Sequence, residues 1–480
     1  MSRATSRRWL TWRVSTVTVI AGLIASGTIL VAARPDVRAE LLGAATPAAS
    51  APAAASVLVA PPSAGVIGPA AAASPGTLPN PTTLAARIAA VPHDRLGTVA
   101  GRVIDLATGA VLFNQSGATT MMPGSTLKLL TATAVLNALG PWHRFTTKVV
   151  SAAPGTIILV GGGDPFLASS ATSVAAPTPA TSATLASRTA AALKAQGITT
   201  VTLGYDDSLF AGASWNANWP VGYRSQVSPV SALWIDEGRD PVTSKFTKDP
   251  AATAAGIFAA QLARRGITVR PRSAPIVAPV HATTVAEVRS WPLATIVEQT
   301  LLNSDNSAAE VLLRQVALAS GQPATFAGGV RAVTQRLAGL GLQLGGVNFV
   351  DGSGLSRKDR VSPALITAII HRAATTAELR PILDGMPVAG VSGTLAMRFF
   401  VPPAAEGRGL VHAKSGTLTH VSSEAGYVTT ASGALLGFAF IVNGAAPGTP
   451  ITNTSVGTND WNMRNYLDEV ASVLAGCGCS

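Results

Sequence analysis

Only seven lysines occur among the 480 residues, and just one of them, Lys128, has a serine three positions ahead of it, Ser125. On a helix, positions i and i+3 share a face, with Cβ atoms roughly 5–6 Å apart. A serine hydroxyl is a weak nucleophile until a neighbouring base takes its proton. A lysine withdrawn from water and set near another cation can be that base, because both effects favour its neutral form. Pro123-Gly124 just ahead marks a helix start, which puts Ser125 in the first turn. Taken alone, the pair also fits a capping serine beside a solvated lysine.

A second reactive group is Ser304-Asp305-Asn306, followed by Ala308-Ala309-Glu310-Val311-Leu312-Leu313-Arg314. The apolar spacing of that tail is helical, so the triplet lies on the turn entering a helix. Such a serine can relay a proton, and such an asparagine can hold a substrate amide. Ser214-Trp215-Asn216 has the same Ser-x-Asn form, but nothing helical follows it. The third group is Lys414-Ser415-Gly416-Thr417, the one Lys-[Ser/Thr]-Gly in the chain. On a strand edge it offers a cation, two hydroxyls and free backbone N–H groups, suited to a carboxylate and an oxyanion. Capping and an ordinary turn are the plain alternatives for these two groups.

Other chemistries are excluded by inspection. No His-Glu-x-x-His zinc motif and no Gly-x-Ser-x-Gly elbow occurs. Residues 339–345 (GLGLQLG) have one residue too many for a dinucleotide loop and follow a helical stretch, so they read as a tight helix-to-strand connection. Cys477 and Cys479 are too close together to staple a fold and too few for zinc. With 48% hydrophobic and 12% charged residues, the chain can bury a large core. The net charge of +11 comes partly from an arginine-rich beginning, and no dense basic run follows residue 13, which argues against nucleic-acid binding.

Elements must bring the three groups together. Residues 98–105 and 110–114 read as a hairpin, and 125–139 as a helix ended by Gly140-Pro141. Far along the chain, 410–415, 424–430 and 434–443 read as strands and 460–474 as an amphipathic helix. The two ends thus supply an antiparallel sheet covered by helices, an α+β arrangement. The catalytic domain is expected over 81–151 and 291–475, with 152–290 as an inserted domain, too long for a loop. Trp215, Trp219 and Trp234 cluster within the insertion; buried core explains them better than a recognition surface does. Ahead of all this, residues 34–80 read as an Ala/Pro-rich linker. Arginines precede an uncharged stretch at 14–33, whose length favours a signal-anchor over a cleaved signal peptide. Either way the body is expected to be exported.

In order, context and uniqueness the triple resembles the penicilloyl serine transferases, the penicillin-binding proteins and serine β-lactamases. More narrowly it resembles the D-alanyl-D-alanine carboxypeptidase/endopeptidase family with domains inserted between the first two motifs. The matching stretches are residues 122–132, Gly161-Gly162-Gly163-Asp164-Pro165, Asn303-Ser304-Asp305-Asn306, Asp351-Gly352-Ser353-Gly354-Leu355-Ser356-Arg357, Gly393-Thr394-Leu395, 412–418 and Ala425-Gly426-Tyr427-Val428. The family usually has threonine where this chain has Ser415, which keeps the hydroxyl and loses a methyl. The resemblance implies Ser125 as nucleophile, Lys128 as its base and Ser304 as the proton relay to the leaving amine. Asn306 would hold the acyl-side amide, and Lys414, Ser415 and Thr417 the terminal carboxylate. The backbone N–H groups of Ser125 and Thr417 would form the oxyanion hole. It implies peptidoglycan stem peptides as substrate, β-lactams as covalent inhibitors, and no cofactor or metal. A class A β-lactamase also needs a glutamate downstream of the second motif to activate water. Between Glu310 and Glu378 there is none, so the peptidase is favoured. A non-catalytic wall-binding protein of this fold would have no reason to keep Ser125, Lys128 and Lys414.

Overall fold

The computed structural model describes residues 76–93, 96–171, 178–270, 275–444 and 453–478, with side chains of the final helix from residue 460 onward. The apolar stretch at 14–33 and nearly all of the linker lie outside the described residues. Among those described, no helix is long and apolar enough to cross a membrane.

Helix α1 (Pro81–Ala89) begins where the Asn80 side chain accepts from the N–H groups of Thr82 and Thr83, with proline at a position that needs no donor. Strands β1 (Thr98–Asp105) and β2 (Val111–Gln115) form the expected hairpin. A short 3-10 turn, Gly124–Leu127, runs straight into α2 (Lys128–Leu139), which stops at Gly140 with φ 76°. From Lys128 to Leu136 this helix is buried on every side. Such a helix forms the centre of a domain.

A second sheet follows, built from β3 (Thr146–Ala153), β4 (Thr156–Val160), β5 (Thr200–Asp206), β6 (Thr268–Arg270) and β7 (Thr283–Arg289) in the order β6-β5-β4-β3-β7. The parallel run β4-β5-β6 is connected by α3 (Ser182–Ala195) and α4 (Pro250–Ala263), while β3 lies antiparallel to both its neighbours. Its core, with Leu203 and Phe258 fully buried, is its own. Residues 146–151, expected on the catalytic side, belong to β3 of this sheet. The change in composition that marked residue 152 comes after the strand has begun.

The chain then forms α5 (Leu293–Leu302), α6 (Asn306–Ala319), α7 (Phe326–Gly339) and α8 (Pro363–Thr375), and finally β8 (Val411–Leu418), β9 (Val421–Thr429), β10 (Leu435–Asn443) and α9 (Asn453–Ala475). No strand follows α7. After residue 345 the chain stays irregular, held by a bridge between Asn348 and Arg360, so 339–345 is a helix-to-loop connection.

The first sheet has the order β2-β1-β10-β9-β8, antiparallel throughout. Its centre is the pairing of the two distant ends, from Thr98 opposite Asn443 to Asp105 opposite Leu436. One face packs Ala439 and Ile441 against the helices that include α2, α5 and α8. The other packs Phe438 and Phe440 against α1 and α9, through Leu84, Ile88, Leu467 and Val470. Alternate residues of one strand therefore feed two cores, and the edge strand β8, bridged at His412 by Val388, leaves the stretch beyond it to meet the turn before α2.

Candidate active site

Ser125 lies in the 3-10 turn rather than in the first α-helical turn, and the relation to Lys128 survives the difference. Lys128 Nζ is 3.0 Å from Ser125 Oγ, 2.7 Å from Asn306 Oδ1 and 2.8 Å from the carbonyl oxygen of Ser353. The amide and the carbonyl oxygens can only accept here, whereas a hydroxyl can also donate. A neutral amine has two hydrogens and one lone pair. With both hydrogens committed to Asn306 and Ser353, the lone pair faces the Ser125 hydroxyl. Lys128 is 1% exposed. Burial lowers its pKa to about 8, against the opposing pull of Glu310, Asp351 and Asp305. A useful neutral fraction therefore exists near neutral pH.

The edge strand approaches this turn closely. A Cβ on Gly416 would sit 2.5 Å from the Pro123 carbonyl oxygen and 2.8 Å from the backbone nitrogen of Ser125. Only glycine allows β8 so near. Gly124, at φ 52°, lies equally close to the other side, its virtual Cβ 3.2 Å from the nitrogen of Thr417. The backbone N–H groups of Ser125 and Thr417 are thereby brought to one place. Ser423 donates to the Pro123 carbonyl oxygen, as does Thr126, and this pins the turn to β9.

Ser304 adopts φ 55°, a left-handed conformation that is uncommon for a residue other than glycine and is often found at functional sites. Its Oγ accepts from Lys414 Nζ at 2.9 Å, and Asp305 beside it caps α6 by accepting from Ala308 N–H at 2.8 Å. Lys414 Nζ also donates to the Ser415 carbonyl oxygen at 2.6 Å. Burial first, then Lys128 and Arg398, hold the pKa of Lys414 well below the usual lysine range. Asn306 Nδ2 donates to the carbonyl oxygen of Gln226 at 2.9 Å, so this amide ties the base to the inserted region and keeps one N–H and one lone pair for a ligand.

A cleft of about 710 Å3 exposes Ser125, Ser304, Asn306, Ser415 and Thr417 on a common surface. Lys414 is fully buried beneath it and is not part of its lining. All seven residues singled out by spacing thus converge, although they come from three separate stretches of chain. The look-alike triplet does not: Asn216 is buried and donates to the Val350 carbonyl oxygen. Trp219 and Trp234 are buried too, with Val311, Leu355 and Leu418 in the same apolar cluster.

Several groups at the site could not be found from residue types. Thr394 Oγ1 lies 2.9 Å from Ser415 Oγ, a pair of hydroxyls at one end of the cleft. Tyr223 of the inserted region and Arg464 of α9 also line it. Arg398 is held by Glu424 and Asp468. Arg464 makes no ion pair among the described residues, and its Nε donates to the Asp460 carbonyl oxygen at 3.4 Å. Glu310 lies close to the base without lining the cleft.

Residues 83–248 and 240–462 match the D-Ala-D-Ala carboxypeptidase 3 (S13) family. Carboxypeptidase DacB of Mycolicibacterium smegmatis is 35% identical over 432 residues, covering 86% of this chain and 89% of that protein. The D-alanyl-D-alanine carboxypeptidase of Actinomadura sp. strain R39 is 30% identical over 434 residues, 74% of this chain and 79% of that one. Among solved structures, penicillin binding protein 4 (dacB) from Haemophilus influenzae superposes with a TM-score of 0.63 at 22% identity, over 82% of this chain and all of that one. The same protein has been solved in complex with a β-lactam, with a TM-score of 0.58, the same identity and the same coverage.

Proposed function

Because the chain belongs to the D-Ala-D-Ala carboxypeptidase 3 (S13) family, we infer that the cleft around Ser125 is where it cuts. The protein is a serine-type D-alanyl-D-alanine carboxypeptidase with a penicilloyl serine transferase fold. The roles of its residues are our own assignment. Neutral Lys128 accepts the Ser125 proton as Oγ attacks the carbonyl of the terminal D-Ala–D-Ala bond. The N–H groups of Ser125 and Thr417 receive the developing oxyanion. Removing one such donor in an acyl-transfer enzyme typically costs about 2.7–4 kcal/mol of barrier. Ser304, hydrogen-bonded to Lys414, passes a proton to the leaving amine. The bond to D-alanine breaks, and water then releases the acyl group from Ser125.

On the leaving side, the hydroxyls of Ser415 and Thr417 receive the terminal carboxylate, with the charge of Lys414 directly beneath them. Asn306 uses its remaining amide sites on the acyl side. Peptidoglycan stem peptides are the substrate, cross-linked ones included, and β-lactams acylate the same serine. The protein acts outside the cytoplasm, tethered through residues 14–33 if these are retained. Residues 81–145 and 290–475 form the catalytic domain, and 146–289 is the insertion that brings Tyr223 and Gln226 to the cleft. A β-lactamase is disfavoured because Glu310, the nearest glutamate to Lys128, turns its oxygens to backbone N–H groups and does not reach the cleft.

The observation that carries these assignments is the surroundings of Lys128, two oxygens that can only accept and one hydroxyl that can donate, which leave one direction for its lone pair, toward Ser125. A fluorescent penicillin tests them. Label is expected on the peptide containing Ser125 and absent from Ser125→Ala. Label on another serine, or undiminished labelling of the variant, would remove Ser125 as nucleophile.

A further inference from the structure

The stretch Asp351–Ser356 carries no obvious chemistry, yet its backbone touches the base: the carbonyl oxygen of Ser353 accepts from Lys128 Nζ at 2.8 Å. The backbone on either side of that carbonyl is held from several directions. Glu310, fully buried on α6 and one turn beyond Asn306, accepts from Gly352 N–H with both oxygens at 3.0 Å and from Ser353 N–H at 2.8 Å. From α2, Thr131, one turn beyond Lys128, donates to the Gly352 carbonyl oxygen at 2.8 Å. Asp351 closes the loop on itself, accepting from Gly354 N–H and Ser356 N–H, and from Trp219 Nε1 of the inserted region, each at 2.8 Å.

Burying a carboxylate without a direct ion-pair partner is costly, and an apolar side chain packs such a site more cheaply. Glu310 has no salt bridge among the described residues. A group kept at such cost, with all its hydrogen bonds directed at two successive backbone N–H groups, is there to fix the backbone that leads into the Ser353 carbonyl. We propose that Glu310 is a positioning residue for the base: by holding the backbone at Gly352 and Ser353, which carries the Ser353 carbonyl, it aims the Lys128 lone pair at Ser125. The inference rests on Lys128 being the base.

Charge gives the proposal a readout that packing alone would not move. Lys128 faces Glu310, Asp351 and Asp305, which favour its charged form, and Lys414 lies on its other side. Glu310 in turn faces Asp351, Asp359, Lys128 and Arg314. Burial, and next Asp351, raise the pKa of Glu310 itself to about 8, so it carries part of its charge where Lys128 titrates. Removing that charge leaves the neutral amine favoured at lower pH. Acylation needs that neutral amine, so its rate rises as pH passes upward through the pKa of Lys128. The acid limb must therefore move to lower pH in Glu310→Gln.

The experiment measures the second-order rate of acylation of the full chain by a fluorescent penicillin from pH 5 to 10, each in steps of about 0.5. In Glu310→Gln the midpoint of the acid limb is expected to fall, by up to about one pH unit. The plateau is expected to fall about 10-fold or more, because the carbonyl that aims the base is no longer fixed. A lower plateau with an unmoved midpoint overturns the proposal and leaves Glu310 a structural residue. Lys128→Arg, measured alongside, separates the two levels. Its inactivity with an unmoved Glu310→Gln midpoint defeats the positioning role alone, whereas an active Lys128→Arg removes the base and with it the thing positioned. Should Glu310→Gln not fold, Thr131→Val disturbs the same peptide from the other side without changing charge. A lowered plateau with the wild-type midpoint is then expected, and a wild-type plateau overturns the proposal.

Discussion

Gly416→Ala puts one methyl group at the closest approach in the catalytic centre. That methyl would lie 2.4 Å from Ser423 Oγ, 2.5 Å from the Pro123 carbonyl oxygen and 2.8 Å from Ser125 N. Carbon needs about 3.4 Å from such atoms, so β8 and the nucleophile turn must part by roughly 0.5–1 Å. Two of the three obstacles are backbone, and no rotamer change removes them. The gap opens between the N–H groups of Ser125 and Thr417, the two donors assigned to the oxyanion. A misplacement of this size costs on the order of 100-fold in rate, and loss of one oxyanion donor about 100- to 1000-fold. Overpacking should lower stability by about 1–3 kcal/mol. Stopped-flow acylation by a fluorescent penicillin, with a thermal melt on the same sample, separates the effects. We expect a folded variant with acylation reduced at least about 100-fold. Adding Ser423→Gly relieves only the side-chain conflict and should restore little activity. A folded Gly416→Ala that acylates at near the wild-type rate refutes the assignment of Thr417 N–H as an oxyanion donor.

Lys128→Arg should fold and fail to acylate, since arginine keeps the charge but does not give up its proton at an accessible pH; a near wild-type rate would show that only charge is needed. Amidating the substrate's terminal carboxylate should lower kcat/KM by about 10- to 150-fold, the worth of a charge-assisted hydrogen bond. That loss should be smaller in Lys414→Ala, as for charged groups that act through one hydrogen-bond network; additive losses in Lys414→Ala with non-additive ones in Arg464→Ala would move the carboxylate onto Arg464. Asp164 is buried, accepts from Phe166 N–H, and has its pKa raised to about 7 by desolvation. Its neutral form suits the fold, so its contribution is fully present below the ordinary carboxylate range near pH 4 and is lost as pH rises to about 7, by at most about 4 kcal/mol. Asp164→Asn should therefore melt above the wild type at pH 8 and level with it near pH 4, and an equal difference at both would contradict this.

The site was legible because acyl transfer constrains residue types at fixed spacing, and such pairs survive in the sequence. Ser125 and Lys128 kept their relation even though the turn between them is 3-10, since i and i+3 are adjacent in either helix. The fold class followed from strand patterns at the two ends, but their pairing, Thr98 with Asn443, is a contact between residues far apart in sequence. The same distance hides the rest of the site. Nothing in the type of Glu310 announces that its carboxylate takes the N–H groups of Gly352 and Ser353, or that Thr394 meets Ser415. Lys414 was legible as a cation, but not as one buried beneath the cleft and hydrogen-bonded to Ser304. The start of the inserted sheet was misplaced because composition changes inside β3 rather than before it.

The central claim is that D-Ala–D-Ala cleavage passes through an ester on Ser125. It is tested most directly by quenching the enzyme within milliseconds of mixing with a peptide ending in D-Ala-D-lactate, whose better leaving group speeds acylation, and weighing the protein. The account predicts a mass increase equal to the peptide minus D-lactate, located by digestion on the peptide containing Ser125 and absent from Ser125→Ala. Turnover of the peptide by wild type with no adduct at any time, together with retained turnover in Ser125→Ala, would contradict it.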